Sequence, residues 1–188
     1  MNRKWTFVVA AALLGAAFVP AARAAEMSEK DKALSNPYPN DFGSDKLDDA
    51  TLKGYPANVK AGYKALSKGC AQCHSAARPL NSRFVEPADD AALAKLKKDQ
   101  PDLFKDGTVW QVEVKLWNRY VKRMMNKPGC NIEKKDGKII WEFLAYDSIA
   151  RKTGANAAKW AEMRKGLVDQ FKAKNVKRYE ELKEAKDL

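Results

Sequence analysis

An all-α fold follows from three observations on this 188-residue chain. Apolar residues recur at three- and four-residue spacing in several separate stretches, and proline-containing breaks such as Gln100-Pro101 and Lys127-Pro128-Gly129 close them. Strand-type alternation shows in one segment only, Val112, Val114 and Leu116, where a helical pattern competes with it.

The first 25 residues read as a secretory signal. Asn2-Arg3-Lys4 supplies the charged region, Trp5 to Val19 the apolar core, and Ala22-Arg23-Ala24 the small-residue cleavage site. The apolar run of about 15 residues is short of the ~20 that span a bilayer, which favours cleavage over a retained anchor. About 163 residues then remain, enough for one domain with appendages. Loss of Arg3, Lys4 and Arg23 lowers the formal charge from +11 to +8. A basic exported protein suits an acidic protein partner or an anionic surface, and export sets nucleic acid aside.

Residues 26–56 carry scattered Pro, Gly, Asp and Asn without periodicity and read as a leader or wrapping loop. Val59, Tyr63, Leu66 and Cys70 then mark one face of a helix from Ala57 to Cys70. A short helix is expected over 88–98, with Asp89 and Asp90 near its positive end. Trp110, Val114, Trp117, Val121 and Met124 keep helical spacing over 15 residues, which sets helix above strand for 108–126. The next helix spans 133–147, with Ile139, Ile140, Phe143, Leu144 and Tyr146 on its apolar side. A Lys-rich helical tail follows to Leu188, and Trp160, Met163, Leu167 and Phe171 give it an apolar stripe expected to pack on its own domain. The expected organisation is signal 1–25, leader 26–56, central domain 57–148 and helical extension 149–188.

Cys70-Ala71-Gln72-Cys73-His74 is the chemically specific stretch, because C-x-x-C-H is the attachment signature of a c-type haem. Cys70 and Cys73 can each form a thioether to the porphyrin, and His74 then supplies the proximal imidazole. His74 is the sole histidine, so one covalent haem c without bis-histidine ligation is expected. A structural zinc site would want four ligands, and only Cys130 remains beyond the motif. A thioredoxin-like motif would sit in a βαβ context, whereas this one follows a helical pattern.

Gly62-Tyr-Lys-Ala-Leu-Ser-Lys-Gly-Cys-Ala-Gln-Cys-His74 resembles the N-terminal helix and haem site of class I cytochromes c. The resemblance implies that fold, here with an N-terminal and a C-terminal extension. It also implies a close crossing of Gly62 against an aromatic of the C-terminal core helix, which would be Phe143. Trp117-x3-Val121-x2-Met124-x4-Gly129-x2-Ile132 is similar to the methionine-bearing segment of small cytochromes that accept electrons from periplasmic dehydrogenases. Together the two matches cover about 45 residues. In that family a proline carbonyl after the motif accepts a hydrogen bond from the proximal imidazole; Pro79 is a candidate at shorter than usual separation, with an ordinary turn proline as the competing reading.

A haem iron held by one histidine wants a second ligand, and the mature chain offers Met27, Met124, Met125 and Met163. Met27 lies in the leader and Met163 in the tail. Met124 continues the Trp117 and Val121 face, while Met125 points about 100° away on a continuous helix. Met124 is the expected distal ligand, with Met125 as its substitute. Arg78, Trp110, Trp117 and Tyr120 are candidates to wall the pocket or meet the propionates, with Trp117 assigned to packing. Cys130 is expected to be a quiet, partly buried thiol, though oxidation or pairing between chains stays open.

These readings give a periplasmic single-electron carrier that needs no enzymatic activity. A haem enzyme or gas sensor with an open distal site, and a haem subunit of a larger respiratory or photosynthetic complex, are the alternatives. The expected partners are redox proteins with an acidic docking face, steered by Lys64, Lys68 and Arg78 near the attachment site.

Overall fold

The computed structural model describes residues 26–105, 111, 112 and 114–188. Residues 1–25, expected to be a signal, and Trp110 lie outside the described residues. The all-α expectation holds: among the described residues nine α-helices are joined by turns and by one short strand pair. Among the described residues no helix is long and apolar enough to cross a membrane.

The leader is not loop throughout. It forms α1 (Glu29–Ser35), a 3₁₀ turn (Pro39–Phe42) and α2 (Asp49–Lys53). Both α-helices are shorter than the span over which apolar periodicity can register, and what starts them is capping. Ser28 accepts from the Asp31 amide, and Asp48 from the Thr51 amide, each satisfying a donor that a helix start leaves open.

The core forms where α3 (Ala57–Gly69) crosses α7 (Lys134–Lys152) and α6 (Val114–Met125) packs beside α7. Val59, Gly62 and Leu66 form the buried face of α3, and Gly137, Ile140, Phe143 and Leu144 lie buried on α7. The crossing of Gly62 on Phe143 is present. A Cβ at Gly62 would stand 2.2 Å from the Ile139 carbonyl oxygen and 2.6 Å from the Phe143 Cβ, so only glycine permits the approach. Tyr146 differs from its expected place on the apolar side, being 39% exposed and set edge-on against the Tyr55 ring.

Three other elements differ from the sequence reading. The helix expected over 108–126 begins only at Val114, because Gln111–Val112 (β2) pairs in parallel with Phe84–Val85 (β1). Val112, being β-branched, suits a strand once a partner edge lies alongside. Helix α7 runs on to Lys152, beyond the expected end at 147, since Asp147, Ser148 and Lys152 are all buried and keep its inner face in contact. The tail is divided at Asn175 into α8 (Ala157–Lys174) and α9 (Val176–Glu184). Between α3 and α6 lie α4 (Ala77–Leu80) and α5 (Asp90–Asp99), the latter capped by Asp89.

Leader and tail lock onto each other across the core. Phe42 meets Phe171 of α8 edge to face at 5.7 Å, and Arg178 of α9 lies over the Tyr38 ring. The Tyr55 hydroxyl donates to the buried Asp147 carboxylate at 2.8 Å, which Arg151 also engages. Trp160, Leu167 and Phe171 are buried, so the tail stripe packs on its own domain as expected.

Lys152 is an uncommon core residue. Its ammonium donates to the Ser82 carbonyl at 3.1 Å and sits over the rings of Trp117 and Trp160. Burial pushes its pKa well below the ordinary value; Asp147 opposes this, and Arg151 and Arg164 add to it. In the unfolded chain it titrates near ~10.4. Between those two values the unfolded chain holds a proton that the folded chain has released, so this group makes stability rise with pH. Lys152→Met should remove that component. Urea unfolding from neutral pH to about 10 should then show a smaller gain for the variant than for the wild type. Parallel curves would mean that Lys152 keeps its proton in the fold.

Candidate functional site

The C-x-x-C-H motif sits where α3 ends. The Cys70 amide donates back to the Leu66 carbonyl, a 3₁₀ turn carries Cys70–Gln72, and Cys73 and His74 follow. Helix α6 supplies the facing wall. Between them lies a cavity of about 480 Å³ lined by Cys70, Cys73 and His74 on one side and by Tyr120, Val121 and Met124 on the other.

His74 is held by its neighbour's backbone. Its Nδ1 lies 2.9 Å from the Ser75 carbonyl oxygen, so Nδ1 carries the proton as donor and Nε2 keeps its lone pair. Burial pushes the pKa of the ring below its ordinary value, the Ser75 contact opposing and Arg78 adding to the fall. A neutral imidazole with a free Nε2 is the form that ligates iron. The acceptor is therefore Ser75 rather than Pro79. The Pro79 carbonyl does line up with a donor, but that donor is the Ser82 hydroxyl at 2.9 Å. Pro79 itself is buried in α4 and forms part of the cavity wall.

The two methionines at the end of α6 part company. Met124 lines the cavity, three residues after Val121 and four after Tyr120, which line it too. Met125 turns toward α7 and packs in the core, where a Cβ on Gly137 would come within 2.3 Å of its sulfur. The buried face of Trp117 and Val121 thus continues into Met125, whereas Met124 alone was expected to continue it. Met163 is half-buried on α8 away from the cavity, and Met27 is 50% exposed ahead of α1.

The three cysteines are free thiols, and all three line the cavity. Burial, with Cys130 and Cys73 adding to it, pushes the Cys70 thiol up to about 12. Cys70 is therefore a protonated thiol at neutral pH, without the thiolate character that marks reactive cysteines. Cys130 is partly buried, as expected, but it faces the cavity rather than the core.

Arg78 is neither a solvated charge nor a free anion receptor. Its Nε donates to Asp41 Oδ1 at 2.8 Å and one Nη to Oδ2 at 2.6 Å, a two-pronged pair that ties the leader to the cavity floor. Trp117 is fully buried and donates its Nε1 proton to the Ser148 hydroxyl, a packing role. Tyr120 lines the cavity, and burial pushes its phenol up to about 12, so it stays neutral.

Sequence reasoning missed the mouth of the cavity. Glu29 and Lys32 of α1, Arg123 and Lys127 after the α6 core face, and Arg178 of α9 all border it. Glu29 pairs with Lys32 and with Lys127, so α1 is fastened over the opening by charge rather than by buried apolar surface. The Ser28 cap was the available signal for α1; nothing local marks Arg178. Lys64 and Lys68 are exposed on α3 but do not border the cavity. Comparison with protein-family models, with curated proteins and with solved structures returned no match.

Proposed function

We propose that the protein is a class I c-type cytochrome, a periplasmic single-electron carrier with one covalent haem c ligated by His74 and Met124. The observation that carries this reading is the gathering of Cys70, Cys73, His74 and Met124, from two separate elements, on one mainly apolar cavity. The residues fit the group: two thiols for thioethers, a neutral imidazole with Nε2 free, a thioether sulfur on the facing wall, and a ring of cations at the mouth for propionates. A haem bound there supplies one-electron chemistry, and a methionine ligand favours ferrous iron relative to a second imidazole. The chain's own work is to hold the site rigid. The Gly62 crossing fixes the helix that carries the thiols, Ser75 orients His74, and the packed Met125 anchors the end of α6 that presents Met124.

A pyridine haemochrome assay of the exported protein should give one c-type haem per chain, resistant to acid-acetone extraction. Alkylation under denaturing conditions should label one thiol, Cys130, in the loaded protein and three in a haem-free chain, because the other two sulfurs are consumed as thioethers. Three labelled thiols in a haem-containing protein would end the covalent reading. A high-spin ferric form that binds carbon monoxide rapidly after reduction would replace the carrier with the open-site enzyme or sensor.

Lys32, Arg123, Lys127 and Arg178 at the mouth, against Glu29 alone among the acidic residues there, suit an acidic redox partner. Second-order electron transfer to such a partner, or to a small anionic oxidant, should slow as salt shortens the Debye length from about 10 Å at 0.1 M to about 3 Å at 1 M. Lys127→Glu should blunt that dependence and Lys64→Glu should not. Equal salt curves for both variants would place docking elsewhere.

A further inference from the structure

Away from the haem cavity, the inner face of α8 carries a concentration of hydrogen-bond donors with no acceptors. Arg164 is 5% exposed, yet neither Nη1 nor Nη2 has a hydrogen-bond partner. Trp160, one helical turn earlier and 9% exposed, likewise leaves its Nε1 proton without an acceptor. The Lys152 ammonium lies 4.9 Å from the centre of the Trp160 ring, and its bonds go to the Ser82 carbonyl and hydroxyl, neither of which carries charge. The nearby carboxylate, Asp147, is already engaged by Arg151 and Tyr55. Among the described residues no ion pair joins Arg164 or Lys152 to an acidic group.

Buried polar groups are almost always paired, and an unpaired buried guanidinium is among the costliest exceptions, so a group in this state calls for a partner. We propose that Arg164, Trp160 and Lys152 form a buried binding site for a small inorganic oxyanion of the phosphate or sulfate class. A neutral ligand or a water would meet the N–H groups but leave the buried Arg164 charge without a counter-ion; an oxyanion answers both. The guanidinium fork matches two oxygens of such an ion, and the indole N–H and ammonium can meet others. Burial, and after it the neighbouring Arg83, push the Arg164 pKa down to about 10, which an anion beside the guanidinium would reverse. None of Arg164, Trp160 and Lys152 lines the haem cavity, and the inference stands whether or not the carrier reading does.

The test is thermal unfolding of the full exported protein in chloride, phosphate, sulfate and acetate at fixed pH and ionic strength. Phosphate or sulfate should raise Tm saturably by about 5 °C, whereas chloride and acetate should not. Arg164→Met should abolish the response and, having lost an uncompensated buried charge, melt no lower than the wild type in chloride. If that variant does not fold, Arg164→Lys keeps the charge without the fork and should need at least about tenfold more phosphate for the same shift. No saturable response to phosphate or sulfate would overturn the site, leaving ordered water as the occupant. Stabilisation by acetate alone would overturn the inorganic oxyanion in favour of a carboxylate, and an unchanged response in Arg164→Met and Arg164→Lys would place any bound ion elsewhere.

Discussion

Met124→Ala is expected to abolish the weak ferric charge-transfer band near ~695 nm that marks an iron–methionine bond in the family this chain resembles, and to lower the midpoint potential. The fall should be on the order of 0.1 V, part of the roughly 0.8 V over which axial ligands set haem potentials. Core packing should change little, because Met124 lines the cavity and is not part of the packed core, so any loss of stability should reflect the iron–sulfur bond alone. Met125→Ala should do the reverse. Its sulfur fills the space over Gly137, so truncation should cost about 1–3 kcal/mol in urea unfolding while the band remains. A band that survives Met124→Ala and disappears in Met125→Ala would exchange the two assignments. A band absent from the wild type would remove methionine ligation altogether.

Gly62→Ala should be among the most damaging single substitutions in the chain. The added carbon would stand 2.2 Å from the Ile139 carbonyl oxygen and 2.6 Å from Phe143 Cβ, and neither a backbone carbonyl nor a Cβ can swing aside as a side-chain end can. The two helices must separate, and about 3 kcal/mol or more should be lost by the measure of core overpacking. The helix that moves is the one ending at Cys70, so the yield of covalently attached haem should fall with stability. Gly137→Ala is the control. Its added carbon meets the Met125 side chain, which can rotate, and the cost should be nearer 1 kcal/mol. Equal urea midpoints for Gly62→Ala and the wild type would mean that the crossing is looser than these distances imply.

The helix boundaries show how far local pattern reaches. The face Val59, Tyr63, Leu66 and Cys70 located α3 to within a residue, because 13 residues of one periodicity leave few other ways to bury those side chains. The C-x-x-C-H motif was legible because its chemistry depends on spacing along the chain, and so was the Gly62 crossing, because the resemblance carried the packing with it. The helices of the leader were not. With 7 and 5 residues and no buried side chain in either, they exist through caps and through what they rest on. The start of α6 was lost for a related reason: Val112 can serve helix or strand, and the choice fell to the edge at Phe84–Val85, which lies 27 residues earlier in register.

What the sequence determined by itself is the helical class, the C-x-x-C-H spacing, the adjacent pair Met124 and Met125, and the apolar stripe that holds the tail down. These rest on periodicity and covalent spacing, which are properties of neighbours in the chain. Tertiary structure alone decided which methionine faces the cavity, that Ser75 rather than Pro79 meets His74, that Asp41 occupies Arg78, and that Arg164 lies buried without a partner. Each of these depends on a direction in space or on what arrives from a distant segment. Met124 and Met125 are adjacent residues of one type, told apart only by α7 standing on one side and the cavity on the other.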